Sequence, residues 1–136
     1  MRVKSAILLL GGLLLAAMAA LAHHSFAAEY DGTKLVNVTG VVTRVEWTNP
    51  HIWFYLDVKD DAGKVANWGF SGAAPGVLMR RGIAKDSMKI GDVIRVEGFR
   101  AKDGSTNGSG GIVTFADGRR VFTASAEDPV PLSERK

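Results

Sequence analysis

The chain contains three histidines, His23, His24 and His51, and no cysteine. Without cysteine there is no disulfide, no thiolate metal ligand and no cysteine nucleophile. Imidazole nitrogens remain as metal ligands, and nitrogen donors bind Cu(II) most strongly among the divalent first-row metals. If the mature chain begins at His23, its α-amine and imidazole can chelate one copper ion, with His24 or His51 as a further ligand. A flexible polar N-terminus is the simpler interpretation of the histidine pair.

Whether the first histidine begins the mature chain depends on the segment before it. Arg2 and Lys4 precede an uncharged run rich in Leu and Ala that closes at Ala20-Leu21-Ala22. This is the pattern of a secretory signal peptide, so we predict a signal peptide over 1–22 and export to the periplasm. An uncleaved membrane anchor is the alternative. Cleavage after Ala27 is a second acceptable site, and it would remove the histidine pair.

The charge balance disfavours nucleic acid as a partner. The whole chain has 17 Lys plus Arg against 14 Asp plus Glu, a net charge of +3. Two of the basic residues lie in the predicted signal peptide, so 15 remain against 14 and the mature chain is near +1. A charge so close to zero does not indicate a polyanionic partner. We expect an unknown small ligand or an envelope protein instead, with membrane contact only through the signal peptide before cleavage.

Aromatic residues concentrate in the middle of the chain. They are Trp47, Trp53, Phe54, Tyr55, Trp68 and Phe70. Trp53 and Tyr55 alternate with core-type residues along one predicted strand, so they lie on its other face. Exposed aromatic rings bind sugars, bases or partner side chains by stacking. We therefore predict a ligand-binding surface of Trp53 and Tyr55 with the turn residues Asn49 and His51. The alternatives are buried rings and a purely structural Asn-Pro-His turn.

Short β-branched and alternating segments must position these side chains. The predicted strands are Leu35–Trp47, Ile52–Lys59, Lys64–Phe70, Val93–Ala101, Ile112–Phe115 and Val121–Ala124. A short helix over Gly76–Arg81 is expected to end at Gly82. The first strand should contain a bulge or bend near Gly40, because its apolar positions change parity there, from Val36 and Val38 to Val41 and Val45. The Gly- and Ser-rich segment from Asp103 to Gly111 is predicted to be a mobile loop.

This order of elements predicts an all-β fold, a small OB-like Greek-key barrel with one short helix between strands 3 and 4. A flat five-stranded meander is the alternative. After the signal peptide, we expect an N-terminal segment over 23–34, the barrel over 35–126 and a flexible tail over 127–136.

No catalytic motif is present in the sequence. There is no nucleophile elbow, no His-Glu-x-x-His zinc motif and no phosphate-binding loop. Glu46, Asp57 and Glu97 are scattered over different strands and are not paired as glycosidase carboxylates are. In Arg80-Arg81 and Arg119-Arg120 we expect one solvated and one packed side chain each, with an anion site as the alternative. The sequence thus predicts a non-enzymatic binding module, and a periplasmic copper-binding protein is the alternative.

Several stretches of the chain resemble a known family of small exported bacterial proteins, the domain of unknown function family 6152. The stretches are His23 to Asp31, Val45 to Ile52, Asn67-Trp68, Leu78 to Gly82 and Val96 to Lys102. The His-His-Ser-Phe and Asn-Pro-His stretches are the most specific of them. The resemblance implies a secreted protein with an OB-like barrel. It implies no activity, substrate or catalytic residue.

Overall fold

A computed structural model of the chain describes residues 26–125 and 128–131. The predicted signal peptide, His23 and His24 lie outside the described residues. In the described part, no helix is long and apolar enough to cross a membrane.

The described residues form six strands and two short helices, so the predicted all-β class is confirmed. The short helix between the third and fourth strands is confirmed as well. The elements are α1 (26–29), β1 (Tyr30–Glu46), β2 (Trp53–Lys59), β3 (Val65–Ser71), α2 (Pro75–Arg80), β4 (Val93–Ala101), β5 (Asn107–Phe115) and β6 (Arg120–Phe122). Two strands begin earlier than predicted. β1 starts inside the expected N-terminal segment, and β5 starts inside the expected mobile loop.

The strand pairings form a closed ring. The sheet order is β3-β2-β1-β4-β5-β6, and β3 also pairs in parallel with β5. The pairs β1–β2, β2–β3, β3–β5, β5–β4 and β4–β1 therefore return to the first strand. This order excludes a flat meander, because β1 pairs with β4 and β3 pairs with β5. The three residues of β6 lie outside the ring, antiparallel to β5.

β1 serves two neighbours at once because its two halves pair with different strands. Its first half pairs with β4 as far as Val41, and its second half pairs with β2 from Gly40 onward. A Cβ at Gly40 would lie 2.6 Å from the backbone oxygen of Asp57, so only glycine permits this approach of β1 to β2. The bulge or bend was expected near Gly40, and at this residue β1 does have a close approach that requires glycine.

The bulge itself lies further along β1 than predicted. The register with β2 shifts between Val42 and Arg44, which places the extra residue at Thr43. Val42 is therefore still on the buried side, and the parity changes only afterwards, so that Val45 packs against the core. Val41, which we expected on the buried side, is 42% exposed. The bulge lies at Thr43 and not at Gly40, so its predicted position was wrong. The reason is that a bulge changes the parity of the apolar positions only beyond the extra residue.

The core lies inside the ring. Its largest fully buried side chains include Phe54, Phe70, Leu56, Ile94 and Val96. Phe54 and Phe70 come from paired positions of β2 and β3, and their ring centroids are 5.7 Å apart. The strict alternation of β2 is what sends Phe54 and Leu56 inward. Each such side chain stabilises the fold by about 1.5–3 kcal/mol through burial.

Glycines in β5 explain why the predicted loop is a strand. A Cβ at Gly108 would lie 2.8 Å from the backbone oxygen of Phe99, and one at Gly110 would lie 2.8 Å from Cζ of Phe54. β5 therefore passes close to β4 and over the core rings. Its glycines are needed for this close packing and do not indicate mobility, which corrects the prediction.

An outer layer of chain covers one side of the ring. In α1, Phe26 packs against Tyr30 and Phe99, with ring centroids 5.5 and 5.7 Å away. Pro131 is fully buried and lies close to Gly111 of β5. The described part of the predicted flexible tail, residues 128–131, is therefore packed against the ring. Residues 132–136 lie outside the described residues.

Candidate ligand-binding surface

Trp53 and Tyr55 lie side by side on the outer face of β2. Phe54 between them points into the core, so the alternation of the strand turns both rings outward, as predicted. The two rings are half-buried, with centroids 6.3 Å apart and planes inclined by 22°. They form a continuous aromatic surface that is neither core nor fully exposed.

Tyr55 is held in place by residues from two other strands, β1 and β3. It faces Gly69 of β3, where a Cβ would lie 3.0 Å from the Tyr55 ring and 2.7 Å from Oδ1 of Asn107. The guanidinium of Arg44 stacks 3.9 Å from the ring centroid. The Tyr55 hydroxyl donates to Glu46 at 3.5 Å, and Glu46 lies 3.4 Å from Arg44. The missing side chain at position 69 thus leaves room for the ring, and Arg44 fixes its orientation.

His51 lies in the connection between β1 and β2, just after the exposed residues Asn49 and Pro50. Its Nδ1 is 2.9 Å from the backbone oxygen of Gly72. Because a carbonyl oxygen can only accept a hydrogen bond, Nδ1 carries the proton. In the neutral ring, Nε2 therefore keeps its lone pair, as a metal-binding or hydrogen-bond-accepting histidine requires.

A small cleft, here named the His51 cleft, joins His51 to the outer layer. Its volume is about 70 Å³. It is lined by Phe26, Glu29, Tyr30, His51, Trp53, Ser71, Gly72 and Asp128. The hydroxyls of Tyr30 and Ser71 are hydrogen-bonded at 2.8 Å. Burial raises the pKa of Tyr30 above its ordinary value of 10.0, the bond to Ser71 lowers it in part, and nearby carboxylates raise it further.

A larger groove adjoins this cleft and is here named the Trp53 groove. It encloses about 560 Å³. Its lining residues are Ala28, Glu29, Tyr30, Trp53, Ala101, Lys102, Asp103 and Asn107. Glu29, Tyr30 and Trp53 belong to both depressions, so the two form one continuous surface.

Residues 11–110 match the family of unknown function DUF6152. The chain belongs to this family. The DUF6152 match includes every residue that lines the Trp53 groove, whereas Asp128 of the His51 cleft lies beyond it. A search of curated proteins finds no match to the chain.

The predicted site residues of this DUF6152 chain are only partly brought together. His51 and Trp53 line one cleft, and Tyr55 stacks on Trp53. Asn49 is exposed in the same connection as His51. Over 26–125 and 128–131, no three His, Asp or Glu side chains are grouped so that they could hold a metal ion. His51 is thus the one predicted copper ligand that the structure describes.

Several residues of this surface are not predicted by any local pattern in the sequence. Among them are Glu29, Tyr30, Lys102, Asp103 and Asn107. Tyr30 belongs to a strand whose alternation is hidden by the Gly32-Thr33 sequence. The others lie at element ends that no local pattern connects to β2.

The Arg80-Arg81 pair differs from the predicted arrangement of one solvated and one packed side chain, because both arginines are exposed, although Arg81 makes hydrogen bonds. Arg81 donates to the backbone oxygens of Phe122 and Ala124 at 3.3 and 2.6 Å, and its guanidinium lies 5.1 Å from the Phe122 ring centroid. Arg80 is exposed. The pair therefore has a structural explanation, in which Arg81 ties α2 to the end of the sheet.

Proposed function

We propose that this protein is an exported, OB-like binding module of the periplasm that holds its ligand on Trp53 and Tyr55 and performs no catalysis. The observation that carries the proposal is the pair of half-buried rings, stacked at 6.3 Å beside a groove of about 560 Å³. A groove of this size suits a small molecule. The chemistry of the surface is stacking on the rings, supplemented by polar groups at the groove wall.

The strand ring supports the OB-like part of the proposal. An OB barrel is a five-stranded Greek-key barrel that binds its ligands on the face of strands 2 and 3 and with the loops between strands 1 and 2 and between strands 4 and 5. Here β1, β2, β3, β5 and β4 pair in a ring, and α2 lies between β3 and β4. Trp53 and Tyr55 are on β2, His51 is in the β1–β2 connection, and Asp103 is in the β4–β5 connection. Such a likeness supports a place for the ligand and does not identify it.

The three tryptophans provide a test that needs no known ligand. Each indole N–H gives its own NMR signal, and Trp47 and Trp68 pack against the core whereas Trp53 faces the groove. We expect at least one of four probes to shift the Trp53 signal and leave the other two in place. The probes are spermidine, maltose, adenosine monophosphate and a proline-rich peptide.

Two variants complete the test. Tyr55→Ala should weaken binding of the active probe, because it removes the neighbouring ring. Val65→Ala, at an exposed position on the next strand, serves as the matched control and should bind normally. If no probe moves the Trp53 signal, or if Tyr55→Ala binds as tightly as the unchanged protein, the proposed surface is wrong.

A copper-binding protein is the second candidate function, and one feature of the cleft favours it. His51 holds its proton on Nδ1 and offers Nε2, and Phe26 lines the same cleft. His24 precedes Phe26 by two residues, and two residues span at most about 7 Å. In this candidate, the His23 amine and imidazole, with His24, complete a site with His51.

Intact mass of the protein purified from the periplasm tests export and copper together. A mass that starts at His23 and includes one retained Cu(II) supports the second candidate. An added residue before His23 should then abolish tight binding, because the α-amine is displaced, and His51→Ala should weaken it. A mass that starts at Ala28, or the absence of retained copper, excludes a site built on the amine. Recovery of the protein in the cytoplasm with residues 1–22 attached would refute export.

A further inference from the structure

The Trp53 groove is acidic, although the chain as a whole has a net charge of +3. Glu29 and Asp103 line the groove, and Asp128 lines the adjoining His51 cleft. Lys102 is the single cation among the groove-lining residues, and its Nζ donates to the backbone oxygen of Ala27. Two carboxylates and one ammonium group therefore line the groove, and a third carboxylate lines the cleft beside it.

The three carboxylates all act on the Tyr30 hydroxyl, at the junction of groove and cleft. Burial is the first cause of its raised pKa, and each carboxylate raises it further. The neighbouring charges on β1 compensate each other, because Arg44 is 3.4 Å from Glu46. With two carboxylates and one ammonium group, the lining of the groove has a net negative charge, which disfavours phosphates and carboxylates.

The Trp53 ring and the carboxylates of the groove attract the same kind of ligand. A cation is attracted to the face of an indole ring, and this attraction grows when the site is partly desolvated. It is also attracted to carboxylates. A neutral sugar would gain from the ring and from hydrogen bonds, but not from the field. The volume of about 560 Å³ is in the range of small-molecule sites.

We propose that the Trp53 groove binds a small organic cation, with one ammonium group over the Trp53 indole and another near the carboxylates of Glu29 and Asp103. This inference rests on the proposed function and names the ligand class for its surface. A polyamine has this chemistry, since its ammonium groups are separated by short apolar stems.

Spermidine is the probe, and binding is followed by calorimetry and by the Trp53 indole signal at low salt. Glu29→Gln and Asp103→Asn should each raise the Kd about two- to fivefold, as expected for one partly exposed ion pair. Trp53→Ala should raise it about fivefold or more. Asp61→Asn removes the same charge at the exposed β2–β3 turn and is the matched control, with an unchanged Kd. Raising the salt to about 0.15 M should weaken binding to the unchanged protein.

The outcomes separate the inference from the proposed function. Binding of spermidine that depends on both carboxylates and on salt supports the inference. If maltose shifts the Trp53 signal and spermidine does not, the cation inference fails and the binding surface remains. If a lysine-rich peptide binds and spermidine does not, the small-molecule assignment is wrong. If neither these probes nor adenosine monophosphate nor the proline-rich peptide moves the Trp53 signal, both proposals fail.

Discussion

Among the glycines of the described strands, Gly98 leaves the least room for a Cβ, which makes Gly98→Ala a sharp test of the structure. A Cβ at this position would lie 1.8 Å from the backbone oxygen of Ser109, whereas real contacts of this kind stay above 3.0 Å. β4 and β5 would have to separate by at least about 1.2 Å, and backbone cannot yield as a side chain does. The strain of overpacking costs about 1–3 kcal/mol, and each lost backbone hydrogen bond about 1 kcal/mol. We expect a loss of about 3–4 kcal/mol in the free energy of unfolding.

Urea unfolding followed by tryptophan fluorescence measures this loss, with two other glycines as controls. Gly82→Ala meets no atom within 4 Å but has a φ of +78°, so it should lose only about 1 kcal/mol. Gly76 lies in α2, where the nearest atom to a Cβ is 3.7 Å away, so Gly76→Ala should be neutral or stabilise the fold by up to about 1 kcal/mol. Each variant adds one methyl group, and the three differ in what surrounds it and in the backbone conformation of the glycine.

The order of the three stability losses tests whether β4 and β5 approach each other as closely as described. If Gly98→Ala loses no more stability than Gly82→Ala, β4 and β5 do not approach each other as closely as described. The ring closure through β5 would then be in question, because the register shift next to Gly98 belongs to the same close contact. If Gly98→Ala alone fails to fold, the reasoning stands.

Three further predictions concern stability. Phe54→Ala should lower the free energy of unfolding by about 3–5 kcal/mol in urea, since the ring is fully buried; a loss below about 1 kcal/mol would contradict its place in the core. Tyr30→Phe should lose about 1 kcal/mol at neutral pH with its hydrogen bond to Ser71. Because the folded pKa of Tyr30 is raised, its contribution is full below pH 10.0 and is lost as the pH rises through the folded pKa. As the pH is raised into the alkaline range, the free energy of unfolding in urea should therefore fall less for Tyr30→Phe than for the unchanged protein. An equal fall with pH in both proteins would refute the raised pKa of Tyr30. Arg81→Ala should lose about 1 kcal/mol with its backbone hydrogen bonds, whereas the exposed Arg80→Ala should change stability by less than about 0.5 kcal/mol; equal losses would contradict the contacts of Arg81.

Local sequence patterns predicted the strands that have one apolar and one polar face. β4 was predicted with its observed bounds, Val93–Ala101, and the turn before β3 contains Gly63 with a φ of +82°. The same patterns failed in β5, where close packing demands glycine and the composition is that of a loop. They also misplaced the bulge in β1, because apolar parity shows that a change occurs but not at which residue. Binding by Trp53 and Tyr55 and copper binding by the histidines both stay predictions.

By itself, the sequence determined which side of β2 is apolar, and therefore that Trp53 and Tyr55 lie opposite Phe54. Alternation has a period of two residues, so it assigns a face wherever one face is buried. Only the tertiary structure decided what stands beside those rings. Tyr30 meets Ser71 across 41 positions of sequence, and Glu29, Asp103 and Asp128 come from the chain before β1, between β4 and β5, and after β6. Their meeting follows from strand pairing between distant segments, which a local pattern does not specify.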